Sequence, residues 1–182
     1  MNLDILEKMI SSFLRFRMIN YGFGWQGGEP TLMGLNFFRK VTYFQQKYGR
    51  DGACISNGLQ TNGILLDDEW CRHLSTYNFL VGISIDGPAE IHNKFRRTIK
   101  GEETHSLVMK GLSALRRNKV EHNALTLVSR SNVDKPLTVY NYLKGLDIKY
   151  HQYIECVEFA PSGELMPFAI NGVEWGIFLC TI

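Results

Sequence analysis

Cysteine is sparse in this chain of 182 residues: Cys54, Cys71, Cys156 and Cys180 are scattered, no two closer than 17 positions. That spacing excludes the local metal knuckles and redox pairs built on C-x-x-C. With no disulfide framework to read, a reduced, cytoplasmic setting is the default. No apolar run reaches the length of a membrane span, and the start lacks the basic-then-apolar pattern of a leader. A formal net charge of only +2, with Arg96-Arg97 and Arg116-Arg117 as isolated pairs, gives no case for nucleic acid or a membrane as partner. Among His73, His92, His105, His122 and His151 no pair stands at the i, i+4 spacing of a zinc helix. A nucleophile elbow, a Walker loop and G-x-G-x-x-G are all missing. What remains is 45% hydrophobic and 21% charged, an ordinary balance for one domain with a proper core.

The most informative stretch is Ile19 to Pro30. Ile19, Tyr21, Phe23 and Trp25 alternate with Asn20, Gly22, Gly24 and Gln26 at the period of a strand. One face is large and aromatic; the other is stripped almost to backbone. Glycine weakens strands, so two on one face suit a place where another group comes close. Gln26 and Glu29 then fall where polar groups at a strand's C-terminal end meet ligands in α/β folds. An ordinary strand–helix turn, with Gly27 and Gly28 supplying positive φ, explains the same residues.

Helix and strand alternate along the rest of the chain. Asn2 or Asp4 can cap a helix carrying Leu3, Leu6, Met9, Ile10, Phe13 and Leu14. After the strand at 19–26, Phe37, Val41, Phe44 and Tyr48 form a helical stripe ending near Gly49. Residues 54–60 read as a strand closed by Thr61-Asn62-Gly63, and Asp67, Asp68 and Glu69 open the next helix. A strand at 79–86 and a polar segment from His92 to His105 precede a helix with Val108, Leu112 and Leu115. A strand at 123–129, a helix opened by Pro136 and a strand at 150–159 complete the series. This order predicts an α/β fold, a parallel sheet of about five strands with crossover helices, open or curled into a partial barrel. Residues 1–160 form that domain; residues 161–182 read as the start of an incomplete extension.

The strand at 79–86 repeats the logic of the first. Val81, Ile83 and Ile85 alternate with Gly82, Ser84 and Asp86. Placed beside Gly22, Gly24 and Gln26, this second small, polar face predicts a narrow polar floor shared by two neighbouring strands. Asp86-Gly87-Pro88 also reads as a simple turn. Glu155 and Glu158 read as edge charges.

Three ordered motifs carry a family resemblance. Gln26-Gly27-Gly28-Glu29-Pro30, Leu59-Gln60-Thr61-Asn62-Gly63 and Ser84-Ile85-Asp86-Gly87-Pro88 resemble successive motifs of the radical S-adenosylmethionine superfamily. The run WQGGEPTL, and SIDGP followed by His92 and Arg96-Arg97, resemble its anaerobic sulfatase-maturating branch. The resemblance implies a partial (β/α)6 barrel with S-adenosylmethionine across its C-terminal strand ends. It implies that Gly27 to Pro30 hold the methionine amino group with Glu29 bracing the turn, and that Ser84 contacts the cofactor. It further implies that Gln26, Asn62 and Asp86 line the cavity and that Val157 packs near the adenine. The implied chemistry is reductive cleavage to a 5′-deoxyadenosyl radical, which takes hydrogen from a sulfatase cysteine or serine to make formylglycine.

Members of that family carry a C-x-x-x-C-x-x-C loop after a first strand, ahead of the first helix; this sequence has no such motif, and its first helix starts at its first residues. Without three thiolates there is no local ligand set for a 4Fe–4S cluster. The cysteine-rich region that holds auxiliary clusters is likewise not found. The expectation is a truncated or degenerate maturase-type protein, missing the barrel's first strand and not catalytically competent alone. It offers no catalytic or metal-ligating residue, and its S-adenosylmethionine binding is weak or lost. A sulfatase peptide is the implied partner of a full maturase, and the unpaired edge of the 19–26 strand invites self-association. A cluster-free module binding S-adenosylmethionine or a peptide, and a regulatory or interaction protein on the same scaffold, stand as alternatives.

Overall fold

The computed structural model describes residues 1–182. Helix α1 (Leu3–Leu14) starts where the Asn2 side chain accepts the Ile5 N–H at 2.9 Å, which selects Asn2 over Asp4 as the cap. Its buried stripe is Leu6, Ile10 and Leu14. Strand β1 (Asn20–Trp25) follows, then a single 3₁₀ turn (Pro30–Met33) and α2 (Leu35–Tyr48). Next come β2 (Cys54–Thr61), α3 (Asp68–Thr76) and β3 (Leu80–Ser84). Asp67 caps α3 by accepting the Trp70 N–H. Helices α4 (Ala89–Phe95) and α5 (His105–Arg117) lead to β4 (His122–Val128), α6 (Pro136–Gly145) and β5 (His151–Glu155). The chain closes with α7 (Gly172–Thr181).

All four strand pairings are parallel, in the order β1-β2-β3-β4-β5, and the sheet curls into a half-barrel. The predicted α/β architecture stands, and so do its five strands to within a few residues. Strand β1 has a partner on one side only, so its other edge is open. The helices cover the convex face. There Tyr21 and Phe23, Leu59, Val81, Ile83 and Ala124 are buried against Leu6, Ile10, Phe38, Val41 and Leu74 in one continuous core. Aromatic rings thread it: Phe13 meets Tyr21 and Phe23 edge-on, and Phe38 meets Trp25, Trp70 and Phe79. A buried polar link ties the layers together: Gln45 and Asn57 exchange two carboxamide hydrogen bonds, at 2.8 and 3.0 Å. The Trp25 indole N–H also donates to Asn57 at 2.9 Å.

Two helices were not anticipated. Helix α4 runs into the polar segment, and its buried residues are Ile91, His92 and Asn93, the last two bonded to Asp86, Thr104 and His105 outside the helix. Helix α7 begins at an Asn171–Glu174 capping box and seats Phe178 against Val128, Val133 and Ile170. No helix is long and apolar enough to cross a membrane.

Candidate functional site

The concave face carries the residues that the alternation set aside. Register aligns Gly24 with Gly58, and Gln60 with Gly82 and Asn123. The floor is therefore not shared by two neighbouring strands as expected, since β2 lies between β1 and β3 and contributes Gly58 and Gln60. A side chain at Gly24 or Gly58 would meet nothing within 4 Å, so this trough is open.

At the C-terminal ends of the strands the trough deepens into a cleft of about 350 Å³. Its rim is Gln26 to Glu29 after β1, Gln60 to Asn62 at and just past the end of β2, and Ser84 at the end of β3. Arg96, Leu125, Leu127 and Ile154 complete the wall. Gly27 and Gly28 have φ of 101° and 38°, backbone that side-chain-bearing residues rarely adopt. Neither their N–H nor their C=O groups bond within the protein, and the space above both is empty. The Ser84 hydroxyl and the Gln26 carboxamide likewise have no protein partner.

Glu29 is committed elsewhere. One carboxylate oxygen accepts the Thr31 N–H at 2.9 Å, the Thr31 hydroxyl at 2.6 Å and the Thr61 hydroxyl at 2.7 Å. The other accepts the Asn62 N–H at 2.7 Å. One side chain thus caps the 3₁₀ turn and ties the end of β1 to the end of β2. Asn62 uses its Oδ1 on the Ile64 N–H, which leaves its NH₂ for the cleft.

Of the nine residues singled out from sequence, Gln26, Gly27, Gly28, Glu29, Asn62 and Ser84 converge on this cleft. Three do not form its wall. Pro30 heads the 3₁₀ turn and faces an adjoining, more apolar cleft of about 590 Å³ along the open edge of β1, with Met9, Phe13 and Phe37; the two clefts share Gln26, Gly27 and Glu29. Asp86 is buried, paired to Arg96 with Nε–Oδ2 at 2.5 Å and Nη2–Oδ1 at 3.1 Å, and it accepts the Leu127 N–H at 2.9 Å. Val157 lies beyond the end of β5 and is 53% exposed. Sequence reasoning quotes Gln60, Thr61 and Arg96 as motif members without giving them a place in the site, and it misses Leu125, Leu127 and Ile154. The period-two faces of β4 and β5 carried the signal for the last three.

The site residues fit a small ligand with an amino-acid end. The cysteines do not fit an iron–sulfur cluster. Cys54 opens β2 while Cys156 follows β5, so the two lie at opposite rims of a parallel sheet, with two strands between them. They cannot approach each other through the sheet, as sequence alone had allowed. Burial and the neighbouring Asp68 and Asp67 push the Cys71 thiol up to about 12, and burial raises Cys156. No group of three or more His, Cys, Asp or Glu side chains could hold a metal ion.

The sequence pattern described as "Radical SAM superfamily" matches residues 3–143. The chain belongs to the radical SAM superfamily. Within it, this radical SAM chain is 38% identical to a serine-type anaerobic sulfatase-maturating enzyme of Bacteroides thetaiotaomicron, over 98% of this chain and 47% of that protein. It is 41% identical to a cysteine-type enzyme of Clostridium perfringens, over 85% of this chain and 42% of that protein. The solved structure of native anSMEcpe with bound AdoMet and Cp18Cys peptide superposes with a TM-score of 0.92 at 36% identity, covering 100% of this chain and 50% of that one. The chain spans about half the length of the curated relatives it matches.

Proposed function

We propose that this chain is the S-adenosylmethionine-binding portion of a protein of the anaerobic sulfatase-maturase type, and that alone it holds the cofactor without cleaving it. The observation that carries this reading is the cleft at the strand ends. There two glycines with unused backbone groups, an unpartnered serine hydroxyl and one arginine face the same small volume.

The Gly27 and Gly28 carbonyls suit the methionyl ammonium, and the Ser84 hydroxyl and the free Nη1 of Arg96 suit its carboxylate. The Asn62 NH₂ and the Gln26 carboxamide suit the ribose hydroxyls. Leu125, Leu127 and Ile154 offer an apolar wall for the adenine, with Val157 just beyond them. Glu29 acts by holding the turn. When bound and cleaved by one electron, S-adenosylmethionine would supply the hydrogen abstraction that begins the family's two-electron oxidation of a sulfatase cysteine or serine to formylglycine. This chain's own cysteines supply no cluster to deliver the electron. We take residues 1–160 as the half-barrel and 161–182, with α7, as the beginning of the region that follows it. Four unpaired thiols suit the reducing cytoplasm.

Anaerobic incubation of the chain with S-adenosylmethionine, iron, sulfide and a strong reductant tests the reading. The expected result is cofactor bound by dialysis and recovered intact by chromatography. Formation of 5′-deoxyadenosine in amounts matching the protein would overturn the claim that the chain does not cleave it.

A further inference from the structure

Resting on the S-adenosylmethionine reading above, we propose that His92 is a positioning residue that sets Arg96 at the cleft through the Asp86–Arg96 ion pair. His92 itself is 1% exposed and takes no part in the cleft wall.

The geometry starts from the backbone of Asp86, whose N–H lies 3.3 Å from Nδ1 of His92. A backbone N–H can only donate, so Nδ1 is the bare nitrogen and the ring proton sits on Nε2. That Nε2–H faces the Thr104 hydroxyl oxygen at 3.3 Å. Thr104 in turn gives its own proton to the Arg96 carbonyl at 2.7 Å. One imidazole therefore spans the backbone of both members of the ion pair, directly at Asp86 and through one hydroxyl at Arg96. Asp86 is further fixed by the Leu127 N–H and by the Asn132 side chain on its carbonyl.

The protonation state agrees with this wiring. Burial lowers the His92 pKa to about 4, so the ring stays neutral at ordinary pH. A second ring proton would oppose the Asp86 N–H, donor against donor. The consequence reaches the ligand because Arg96 is the only cation on the cleft wall. Two of its nitrogens are held by Asp86, and the remaining Nη1 is the one aimed by this arrangement.

The test compares S-adenosylmethionine with 5′-methylthioadenosine, which lacks the amino-acid moiety, on the full chain by ligand-observed NMR. His92→Phe keeps the ring volume and loses both hydrogen bonds. It should weaken S-adenosylmethionine by about tenfold and leave 5′-methylthioadenosine within about twofold, since a charge-assisted contact is lost only for the first. His92→Asn, which keeps an acceptor for the Asp86 N–H, should recover part of the loss. Equal weakening of both ligands, or no change in either, would overturn the assignment. If the unaltered chain binds neither ligand, the cofactor reading fails by itself. The role of His92 is then read from the Arg96 Nε–H signal in proton–nitrogen spectra. A signal protected in the wild type and lost to exchange in His92→Phe supports positioning, and one retained in His92→Phe refutes it.

Discussion

Replacing Glu29 by glutamine leaves the shape of the side chain intact but exchanges an acceptor for a donor. The carboxylate accepts four hydrogen bonds, three at one oxygen and one at the other, from groups on two different strand ends. In Glu29→Gln the carboxamide oxygen can keep the three bonds from Thr31 and Thr61. Its NH₂ then faces the Asn62 N–H at 2.7 Å, donor against donor. Losing that bond and opposing two donors costs about 2 kcal/mol. For a chain of this size that is a fall in Tm of roughly 4–8 °C. Glu29→Ala removes all four bonds, including the cap of the 3₁₀ turn. Water replaces some of them because Glu29 is only half-buried, so the cost is about 3–4 kcal/mol. Urea unfolding followed by tryptophan fluorescence gives both values, with the denaturant slope unchanged. If Glu29→Gln stays within about 0.5 kcal/mol of wild type, or Glu29→Ala is no worse than Glu29→Gln, the carboxylate is not the brace between the strand ends.

Gly24 and Gly27 should respond oppositely to alanine. Gly24→Ala meets open space at ordinary φ and should be neutral or stabilising by up to about 1 kcal/mol. Gly27→Ala at φ 101° should cost about 1–3 kcal/mol, read by the same urea titration. Asn57→Leu orphans the Trp25 indole and the Gln45 carboxamide and should cost about 2–4 kcal/mol, with a shifted Trp emission; an unchanged midpoint would contradict the buried network. Acid should destabilise the chain through its buried His92 and its half-buried His73 and His105. Burial lowers His92 to about 4 from 6.5 and lowers His73 and His105, so the unfolded chain binds more protons. Stability should therefore fall as pH falls from about 6.5 towards 4, and the slope should be shallower in His92→Phe. An identical slope in that variant would show that His92 titrates normally.

The alternation of Tyr21, Phe23 and Trp25 with Gly22 and Gly24 is enough to separate the packed face of β1 from its open face, because period two leaves no other arrangement for a one-sided sheet. Local chemistry also marks the helix starts at Asn2 or Asp4, at Asp67 to Glu69 and at Pro136, and the structure chooses Asn2 for the first. Strand neighbours were not legible: nothing local says that β2 stands between β1 and β3, so Gly58 and Gln60 went unassigned. The resemblance implies Asp86 in the cavity lining, and its position continues the polar face of β3. Its carboxylate is instead drawn aside by Arg96, ten residues on, and by the Leu127 N–H. Helix α4 is hidden in the sequence because two of its three buried residues, His92 and Asn93 beside Ile91, are polar, with partners a dozen residues away. Helix α7 had a readable start in Asn171 and Glu174, but Gly172 and Gly176 masked its periodicity.

The central claim is that the cleft at the strand ends holds S-adenosylmethionine through this chain's own groups, and calorimetric titration of the ligand into wild-type, Ser84→Ala and Glu29→Ala chains tests it most directly. With no iron to chelate the amino-acid end, the expected Kd lies in the high-micromolar to millimolar range, about −4 to −6 kcal/mol. Ser84→Ala should weaken it by about one hydrogen bond, roughly three- to tenfold, and Glu29→Ala should weaken it by loosening the glycine turn. Sub-micromolar binding indifferent to both substitutions, or no binding by the wild-type chain at millimolar ligand, would contradict the account.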